Sequence, residues 1–402
     1  MKFNIWNDYE YMDLPDVLSF IVDNRGKTVP TDDKGTHILI ATNCIRNENL
    51  YPSYEKVRFL NEETYQNWFR AHPIPGDIIF VNKGTPGRVC LVPDPVDFCI
   101  AQDMMAFRVN PDIVYNKYLF AVLRSARIQN QISVTTVGDV IPHFKKQHLH
   151  EIKIPIPPME IQKLIGDYYF MFCEKIVVNN KINRNLSEQL QAVFADRFLS
   201  ISWDEELPED WEVVKLKDVA QFSQGVQVPV EEQLDSPTDG YERFIRIVDI
   251  TQGNEKDIRY IENRPRGHVT EDEIFMIRYG TPGILSWNYK GIIANNLFKI
   301  TSSDERVSVN YLYSLLKTEK VLGYLRGNAV SSTMPAINFS TLNGIDIVIP
   351  DAVSMSDFTI YSEAIRHKQL ELIKENMTLA HLRDELLPKL MSGAIDIENI
   401  EM

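Results

Sequence analysis

The chain has 402 residues, of which 44% are hydrophobic, and its formal net charge is −14. This length predicts a folded protein with at least two ordinary hydrophobic cores. No apolar run reaches the roughly 20 residues needed to cross a bilayer, and the acidic first residues are unlike a secretion signal, so we expect a cytoplasmic protein. The acidic charge disfavours general nucleic-acid binding but leaves room for a local basic surface.

The sequence repeats itself once. A Gly-Thr-Pro-Gly segment occurs at 84–87 and again at 280–283. Five residues recur with an offset of 193, namely Pro142, Leu149, Ile152, Ile154 and Pro157 as Pro335, Leu342, Ile345, Ile347 and Pro350. The openings of the copies also match, with Tyr9, Glu10, Leu14, Asp16, Val17 and Phe20 facing Trp211, Glu212, Leu216, Asp218, Val219 and Phe222. A period near 200 residues is too long for a solenoid unit, so each copy should be a domain plus a connector.

The first copy is predicted to be mostly β. Short apolar runs at 38–40, 78–81 and 89–92 are separated by Gly, Pro and Asp turns. A helical pattern at 114–132 interrupts the strands. From Pro158 the sequence predicts a long helix to about residue 199, because proline is favourable at a helix start and no proline occurs at 159–199.

The second copy follows an acidic linker at 204–210 and repeats this pattern, with predicted strands at 244–248, 284–287 and 292–294 and a helix at 309–325. We therefore expect a first β-rich domain at 1–157, a long helix at 158–203, a second β-rich domain at 204–350, a second long helix at 351–391 and a tail at 392–402.

Apolar residues at heptad spacing run along both predicted long helices. They are Ile165, Phe172, Leu186 and Val193 in the first and Ile365, Leu372, Leu379 and Leu386 in the second. Either helix alone could lie on its own domain, but two matched seams favour pairing with each other. The predicted fold is α+β, with two similar β-rich domains whose helices pair as an antiparallel coiled coil with pseudo-two-fold symmetry, on the order of 50 Å long.

The sequence carries no catalytic or metal-binding motif. It lacks a phosphate loop, a dinucleotide fingerprint, a zinc-protease motif and a nucleophile elbow. Carboxylate pairs are too common in an acidic chain to indicate a hydrolase. Asn110-Pro111-Asp112 is interpreted as a turn. Cys44, Cys90, Cys99 and Cys173 have no metal or disulfide spacing, so we expect small buried or half-buried thiols.

The layout resembles the specificity subunit of type I restriction-modification systems. The resemblance rests on the Gly-Thr-Pro-Gly turn after an Ile-Ile-Phe strand and on residues 154–163, Ile-Pro-Ile-Pro-Pro-Met-Glu-Ile-Gln-Lys, which lead into the first long helix. Residues 386–396, Leu-Leu-Pro-Lys-Leu-Met-Ser-Gly-Ala-Ile-Asp, resemble the usual ending of these subunits. The order domain, helix, domain, helix covers nearly the whole chain.

The resemblance implies a non-catalytic DNA-binding subunit. Each target-recognition domain would read half of a bipartite site in double-stranded DNA, and the paired helices would fix the spacer. Two adenine methyltransferase subunits would dock on the helices and bring S-adenosylmethionine, and a restriction subunit would use ATP and Mg²⁺. This chain itself would bind no cofactor and no metal.

Base edges and phosphates are read by cationic, amide or hydroxyl side chains on exposed loops. Within the frame of this resemblance the candidates are Lys83, Thr85, Arg88, His143, Lys145 and Lys146 in the first domain, and Arg243, Arg246, Trp287, Asn288 and Lys290 in the second. Packing of Trp287 and ordinary solvated lysines are the competing interpretation. The alternative function is a coiled-coil scaffold that carries two β-rich protein-binding modules.

Overall fold

The computed structural model describes residues 3–24, 28–135, 142–200, 207–252, 257–328 and 336–395. Pro335 of the repeat, residues 204–206 of the predicted linker and residues 396–402 of the predicted tail lie outside this part. The chain forms two compact units. Unit 1 is Met1–Lys181 with Ile373–Met402, and unit 2 is Ile182–Leu372.

Unit 1 contains a four-stranded sheet, a three-stranded sheet and a two-stranded ribbon. The strands are β1 (Tyr11–Asp13), β2 (Leu18–Val22), β3 (His37–Ile40), β4 (Arg58–Leu60), β5 (Ile78–Val81), β6 (Val89–Leu91), β7 (Phe98–Ile100), β8 (Met104–Val109) and β9 (Lys153–Pro155). The sheet orders are β2-β8-β5-β6, β4-β3-β7 and β1-β9, and only β3 and β7 pair in parallel. The strands β5, β6 and β7 are buried along their whole length, which explains their continuous apolar runs.

Unit 2 has the same strand order with one additional strand, β14, at the edge of its second sheet. Its strands are β10 (Glu212–Lys215), β11 (Ala220–Gln224), β12 (Tyr241–Ile245), β13 (Arg259–Glu262), β14 (His268–Val269), β15 (Ile274–Ile277), β16 (Leu285–Ser286), β17 (Gly291–Ile293), β18 (Leu297–Ser302) and β19 (Asp346–Ile349). The sheet orders are β11-β18-β15-β16, β13-β12-β17-β14 and β10-β19. Again one pair, β12 with β17, is parallel. The internal repeat is therefore a repeat of topology.

The helices of the described part include two long ones. They are α1 (Glu62–Asn67), α2 (Asn116–Arg124), α3 (Ala126–Thr135), α4 (Met159–Phe194), α5 (Leu216–Val219), α6 (Ile247–Gln252), α7 (Val309–Leu316), α8 (Glu319–Gly327), α9 (Phe339–Asn343) and α10 (Ala352–Met391). A π-helical turn, Ala195–Leu199, extends α4. The two predicted long helices are thus confirmed.

The two shorter predicted helices are each broken in the middle. The helical stretch expected at 114–132 contains α2 and α3, which meet at the extended residue Ser125, and the stretch expected at 309–325 contains α7 and α8. The Ser125 hydroxyl accepts a bond from the Ile128 N–H, and the Thr318 hydroxyl accepts one from the Val321 N–H. These hydroxyls cap the second helix of each pair, so each predicted helical stretch consists of two short helices.

The strand predicted at 244–248 was wrong in its second half, because β12 ends at Ile245 and α6 begins at Ile247. Asp249 explains the change. Its carboxylate accepts a bond from the Arg246 backbone N–H at 2.7 Å, which satisfies a donor at the start of the helix.

The Gly-Thr-Pro-Gly segments close equivalent hairpins, β5–β6 and β15–β16. In the first hairpin the Gly87 N–H donates to the Val81 carbonyl, and in the second the Gly283 N–H donates to Ile277, both at 3.0 Å. The four glycines have φ between +79° and +95°. Glycine adopts this left-handed region without the clash that a Cβ atom causes, so each hairpin depends on it.

Alanine substitutions of Gly84 and Gly87 in the first hairpin distinguish the cost of backbone strain from the cost of steric contact. A Cβ atom on Gly84 meets nothing within 4 Å, so Gly84→Ala should lower the free energy of unfolding by only about 1 kcal/mol. A Cβ atom on Gly87 lies 3.0 Å from the Gln129 side chain and 3.2 Å from Ile132, so Gly87→Ala should cost about 2 kcal/mol. Urea unfolding of the full chain measures both, and equal losses would contradict the packing argument.

Candidate nucleic-acid interface

The first hairpin lies beside the segment that begins at Pro142. Lys83 and His143 form an antiparallel β-bridge. The Gly84 N–H donates to the Pro142 carbonyl at 2.9 Å, and the Phe144 N–H donates to the Asn82 carbonyl at 2.7 Å. We call residues 83–88 and 142–146 together the first turn–loop surface. It contains six of the predicted site residues, all six that were chosen in the first copy.

A buried aromatic ring anchors this surface. Phe144 is fully buried, and its ring centroid lies 5.6 Å from that of Phe80 on β5. The ring packs into the core, and the neighbouring Lys145 and Lys146 are exposed on the loop. Lys83 and Thr85 are exposed in the turn. No atom of the surroundings comes within 4 Å of a Cβ on Gly84, so another molecule can approach the turn closely.

The cations of the first turn–loop surface differ in what they contact. Lys146 lies 3.6 Å from the Asp23 carboxylate, which is mostly buried. In the described part of the chain, neither Lys83 nor Lys145 forms an ion pair. Arg88 and His143 are half-buried. Two lysines are thus available to phosphate oxygens, and the others are partly held by the protein.

The second copy builds the same backbone arrangement with different side chains. Tyr279 and Ala336 form the equivalent bridge, and the Ile337 N–H donates to the Arg278 carbonyl at 3.1 Å. We call 279–284 and 336–339 the second turn–loop surface. Its exposed or half-exposed groups include Tyr279, Thr281 and Asn338, none of which was selected from the sequence. The repeat would have found them, because the turns are offset by 196 residues and the later segments by 193.

Two arginines that were selected in the second copy are held by internal contacts. The Arg246 guanidinium bonds both oxygens of Asp249, at 3.2 and 2.9 Å, and lies 3.4 Å from Asp257. Partial burial alone would lower the pKa of Arg246, but these carboxylates outweigh it and raise that pKa. The Arg243 guanidinium lies 5.3 Å from the centre of the Tyr289 ring. Both arginines therefore contact other residues of unit 2 through their guanidinium groups.

The other three selected residues follow β16. Trp287 is 7% exposed and stacks on Tyr313 with ring centroids 3.8 Å apart. Asn288 has a φ of 63° and its backbone N–H donates to Glu271. Lys290 is exposed. Trp287 therefore packs in the core of unit 2, and only Lys290 offers a fully exposed polar group.

In unit 1, the first part of α4 contacts the last part of α10. The Asn179 side chain is fully buried and donates 2.9 Å bonds to Glu375 and Asn376, and Asn376 donates to Asn180. Leu387 and Met391 share a hydrophobic cluster with Ile165 and other residues of the β-rich copy. Phe172, Leu379 and Leu386, which were expected in the pairing seam, are half-buried.

In unit 2, the remaining part of α4 contacts the first part of α10. Leu186, Val193 and Ile365 belong to or pack against one cluster, in which the Phe194 and Phe358 rings are 5.5 Å apart. Leu372 is buried. Gln369 is 7% exposed and donates to the Asn183 carbonyl at 3.0 Å and to the Ser187 hydroxyl at 2.8 Å. Buried polar residues thus accompany the apolar seam in both units.

The described residues contain no cluster suited to a metal ion. No group of three or more His, Cys, Asp or Glu side chains among them could hold a metal ion. The four cysteines are free and buried, as predicted, and burial raises the pKa of Cys90 to about 11 and that of Cys99 to about 12. Within the same part of the chain, no helix is long and apolar enough to cross a membrane.

Comparison with known proteins identifies the family. The family model described as type I restriction modification DNA specificity domain matches twice, at residues 7–188 and 208–371. The chain belongs to the family of type I restriction-modification specificity subunits. A specificity subunit of this family is a non-catalytic component of its restriction-modification complex, and two matched domains fit recognition of a bipartite DNA site. The resemblance inferred from the sequence is thereby confirmed.

Individual relatives of this specificity subunit agree. The MjaIX specificity subunit of Methanocaldococcus jannaschii is 22% identical over 357 residues, which cover 81% of this chain and 79% of the relative. The HindI specificity subunit of Haemophilus influenzae is 22% identical over 400 residues, covering 80% and 86%. The crystal structure of an M. genitalium S subunit covers 97% of this chain and 98% of that one, at 16% identity and a TM-score of 0.53, which shows a shared fold.

The buried amide of Gln369 provides a test of the helix contacts in unit 2. Gln369→Glu should lower the free energy of unfolding by about 2 kcal/mol, because a buried carboxylate cannot donate to the two oxygens that the amide now contacts. Lowering the pH should shrink this loss, since protonation restores a donor. Gln189→Glu, at an exposed position of α4, is the matched control. Equal urea midpoints for the two variants would contradict the contact.

Proposed function

We propose that each unit of this specificity subunit reads one half of a split site in double-stranded DNA through its turn–loop surface. The observation that supports this proposal most is the hairpin-to-loop bridge built twice, Lys83 with His143 and Tyr279 with Ala336. The two units share this backbone arrangement but carry different side chains on it, which suits recognition of two half-sites that differ in base sequence. The subunit would act in the cytoplasm.

The chemistry of the first turn–loop surface suits a duplex. Lys83 and Lys145 are exposed cations for phosphates, and the Thr85 hydroxyl can reach a base edge from a tip that carries glycine on each side. These cations are local, so they are compatible with the net charge of −14. Arg243, Arg246, Trp287 and Asn288 have no direct role in this proposal, because internal contacts hold them, whereas Lys290 keeps its predicted role.

The long helices would fix the distance between the half-sites. α4 has 36 residues and α10 has 40, so each is about 54 to 60 Å long at about 1.5 Å per residue. We propose that they pair as an antiparallel coiled coil with the seam Ile165, Phe172, Leu186, Val193, Ile365, Leu372, Leu379 and Leu386. Two major-groove readers on one face of B-DNA must be roughly 34 to 36 Å apart, and a rigid helix pair can impose such a spacing.

The reaction would belong to partner subunits. We propose that two copies of an adenine methyltransferase subunit, called here the modification subunit, dock on the helices and supply S-adenosylmethionine. A restriction subunit that uses ATP and Mg²⁺ would add translocation and cleavage. This chain would supply position and sequence choice.

Removing two lysines should weaken DNA binding in a salt-dependent way. Lys83→Ala with Lys145→Ala should reduce duplex affinity of the assembled complex, and the slope of log affinity against log salt should fall by about 0.9 for each lost phosphate contact. Lys163→Ala, an equally exposed lysine on α4, should leave the slope unchanged. Fluorescence anisotropy at several salt concentrations measures this, and an unchanged slope in the double variant would argue against the first turn–loop surface.

Lengthening both helices should lengthen the spacer alone. Seven residues inserted after Lys181 and seven after Leu372 preserve the heptad phase and add about 10 Å, or about three base pairs. Methylome sequencing of a host that expresses the chain with its modification subunit should show a split adenine-methylated motif. In the lengthened variant, the half-sites should stay the same and the gap should grow. An uninterrupted motif, or changed bases with an unchanged gap, would refute the proposal.

A further inference from the structure

Unit 1 contains an open groove that its DNA-reading surface does not use. The groove has a volume of about 620 Å³ and lies between the segment 8–10, the turn at 112–113 and the start of α4. Ile113, Ile156 and Met159 give it a half-buried apolar floor. The exposed carboxylates of Asp8, Glu10 and Asp112 form its rim.

The repeat shows which positions of unit 2 correspond to this groove. Tyr11 pairs with Pro155 in unit 1, and Val213 pairs with Val348 in unit 2. This register makes Glu212 the equivalent of Glu10. On the same frame, the hydroxyls of Tyr118 and Tyr311 donate to the carbonyls of Pro155 and Val348. Ile113 lies five residues before Tyr118, and Arg306 lies five residues before Tyr311, so Arg306 is the equivalent of Ile113.

In unit 2 the equivalent position is filled by the chain's own arginine. The Arg306 guanidinium bonds Glu212 at 2.5 Å and both oxygens of Asp304, the closest at 2.7 Å. The arginine lowers the pKa of Asp304 through these bonds. The Trp211 indole N–H also donates to Asp351 at 2.9 Å. The site in unit 2 therefore shows how a guanidinium fits between carboxylates on this frame.

In unit 1 the arginine is missing and one of its two carboxylate partners remains. Glu10 stands at the position of Glu212, whereas Pro111 stands at that of Asp304, and the second carboxylate of the groove comes from the next residue, Asp112. Ile113 stands at the position of Arg306, and Pro158 stands at that of Asp351. Within the residues that the structure describes, Glu10 and Asp112 form no ion pair. The result is a rim with two unpaired carboxylates above an apolar floor.

We propose that the groove of unit 1 receives an arginine side chain, with a neighbouring apolar side chain, from the modification subunit. The carboxylate rim repels DNA phosphates and also the chain's own end, which contains Asp396, Glu398 and Glu401. A guanidinium bridges two carboxylates better than an ammonium does, because its donors are arranged in a planar fork. The inference rests on the proposed function, since it names one docking site of a subunit proposed there.

Two variants test the groove by opposite routes. Ile113→Arg supplies the missing guanidinium from within and should block the incoming one. Glu10→Gln with Asp112→Asn removes the charge without changing side-chain size. We expect each to weaken binding of one modification subunit at least tenfold, and we expect the second subunit to bind as before. Isothermal titration of the full chain with the purified modification subunit should resolve two sites in the wild type and a single remaining tight site in the variants.

Matched controls separate the groove from general charge and from folding. Glu63→Gln with Asp33→Asn removes two exposed charges elsewhere in unit 1 and should leave both affinities unchanged. Arg306→Ile, the reverse exchange in unit 2, should not weaken docking at the groove of unit 1. Unaltered circular dichroism spectra and urea midpoints of the groove variants establish that they fold.

The failures of the two proposals are distinguishable. If the wild-type chain binds no modification subunit and supports no methylation, the proposed function is wrong. If the wild type binds two modification subunits and both groove variants bind them with the affinity of the Glu63→Gln and Asp33→Asn control, the groove inference alone is overturned. Weakened binding in only one of the two groove variants also contradicts it, because both remove the same ion pair.

Discussion

The fold depends on contacts between residues that are far apart in the sequence. Unit 1 is completed by Ile373–Met402, although its β-rich part ends near residue 155. The Ile5 N–H donates to the Met391 carbonyl at 2.8 Å, and a Cβ atom on Gly393 would lie 2.0 Å from the Phe3 carbonyl oxygen. Unit 1 therefore cannot close its core until the last residues of α10 have been made and placed.

The contacts of the long helices stabilise each unit and also fix which residues of the two helices face each other. Apolar seam residues such as Ile165 and Ile365 are buried with the β-rich parts, so each helix is anchored in a hydrophobic core. Asn179 and Gln369 are buried too, and each is hydrogen-bonded to the other helix within its own unit. Buried amides are satisfied only when particular residues face each other, so they disfavour shifted registers that an apolar seam alone would tolerate.

The sequence predicted the parts of the fold that follow from periodicity. The long helices were found because heptad apolar positions continue for many turns without proline, and the buried strands were found as short apolar runs. The breaks at Ser125 and Thr318 were missed, because a hydroxyl residue is tolerated inside a helix and its capping bond cannot be read from composition. The repeat could have revealed them, since both capping hydroxyls fall at equivalent positions.

The sequence predicted the candidate site residues beside the glycine turn, but it could not show which other residues are held by internal contacts. Lys83 was chosen beside the glycine turn and Lys145 on a later loop, and the structure places them on adjacent segments. Arg246 has the same side-chain chemistry as Arg88 but is bonded to Asp249, and Trp287 stacks on Tyr313. Residue type alone cannot distinguish an arginine that reads DNA from one that holds a helix start, because the distinction depends on a neighbouring carboxylate.

The two copies share one backbone arrangement but differ in the side chains on its surface. The equivalents of Lys83, His143 and Lys145 are Tyr279, Ala336 and Asn338, while the bridge and the hydrogen bond beside it are retained. Backbone bonds do not depend on the side chains at these positions, so substitutions there can change the chemistry of the surface without unfolding the hairpin. The groove differs between the copies in the same way, since Arg306 bonds Glu212 in unit 2 whereas Ile113 lines an open groove beside Glu10 in unit 1. Duplication of one backbone frame thus gives two surfaces with different side chains within one chain.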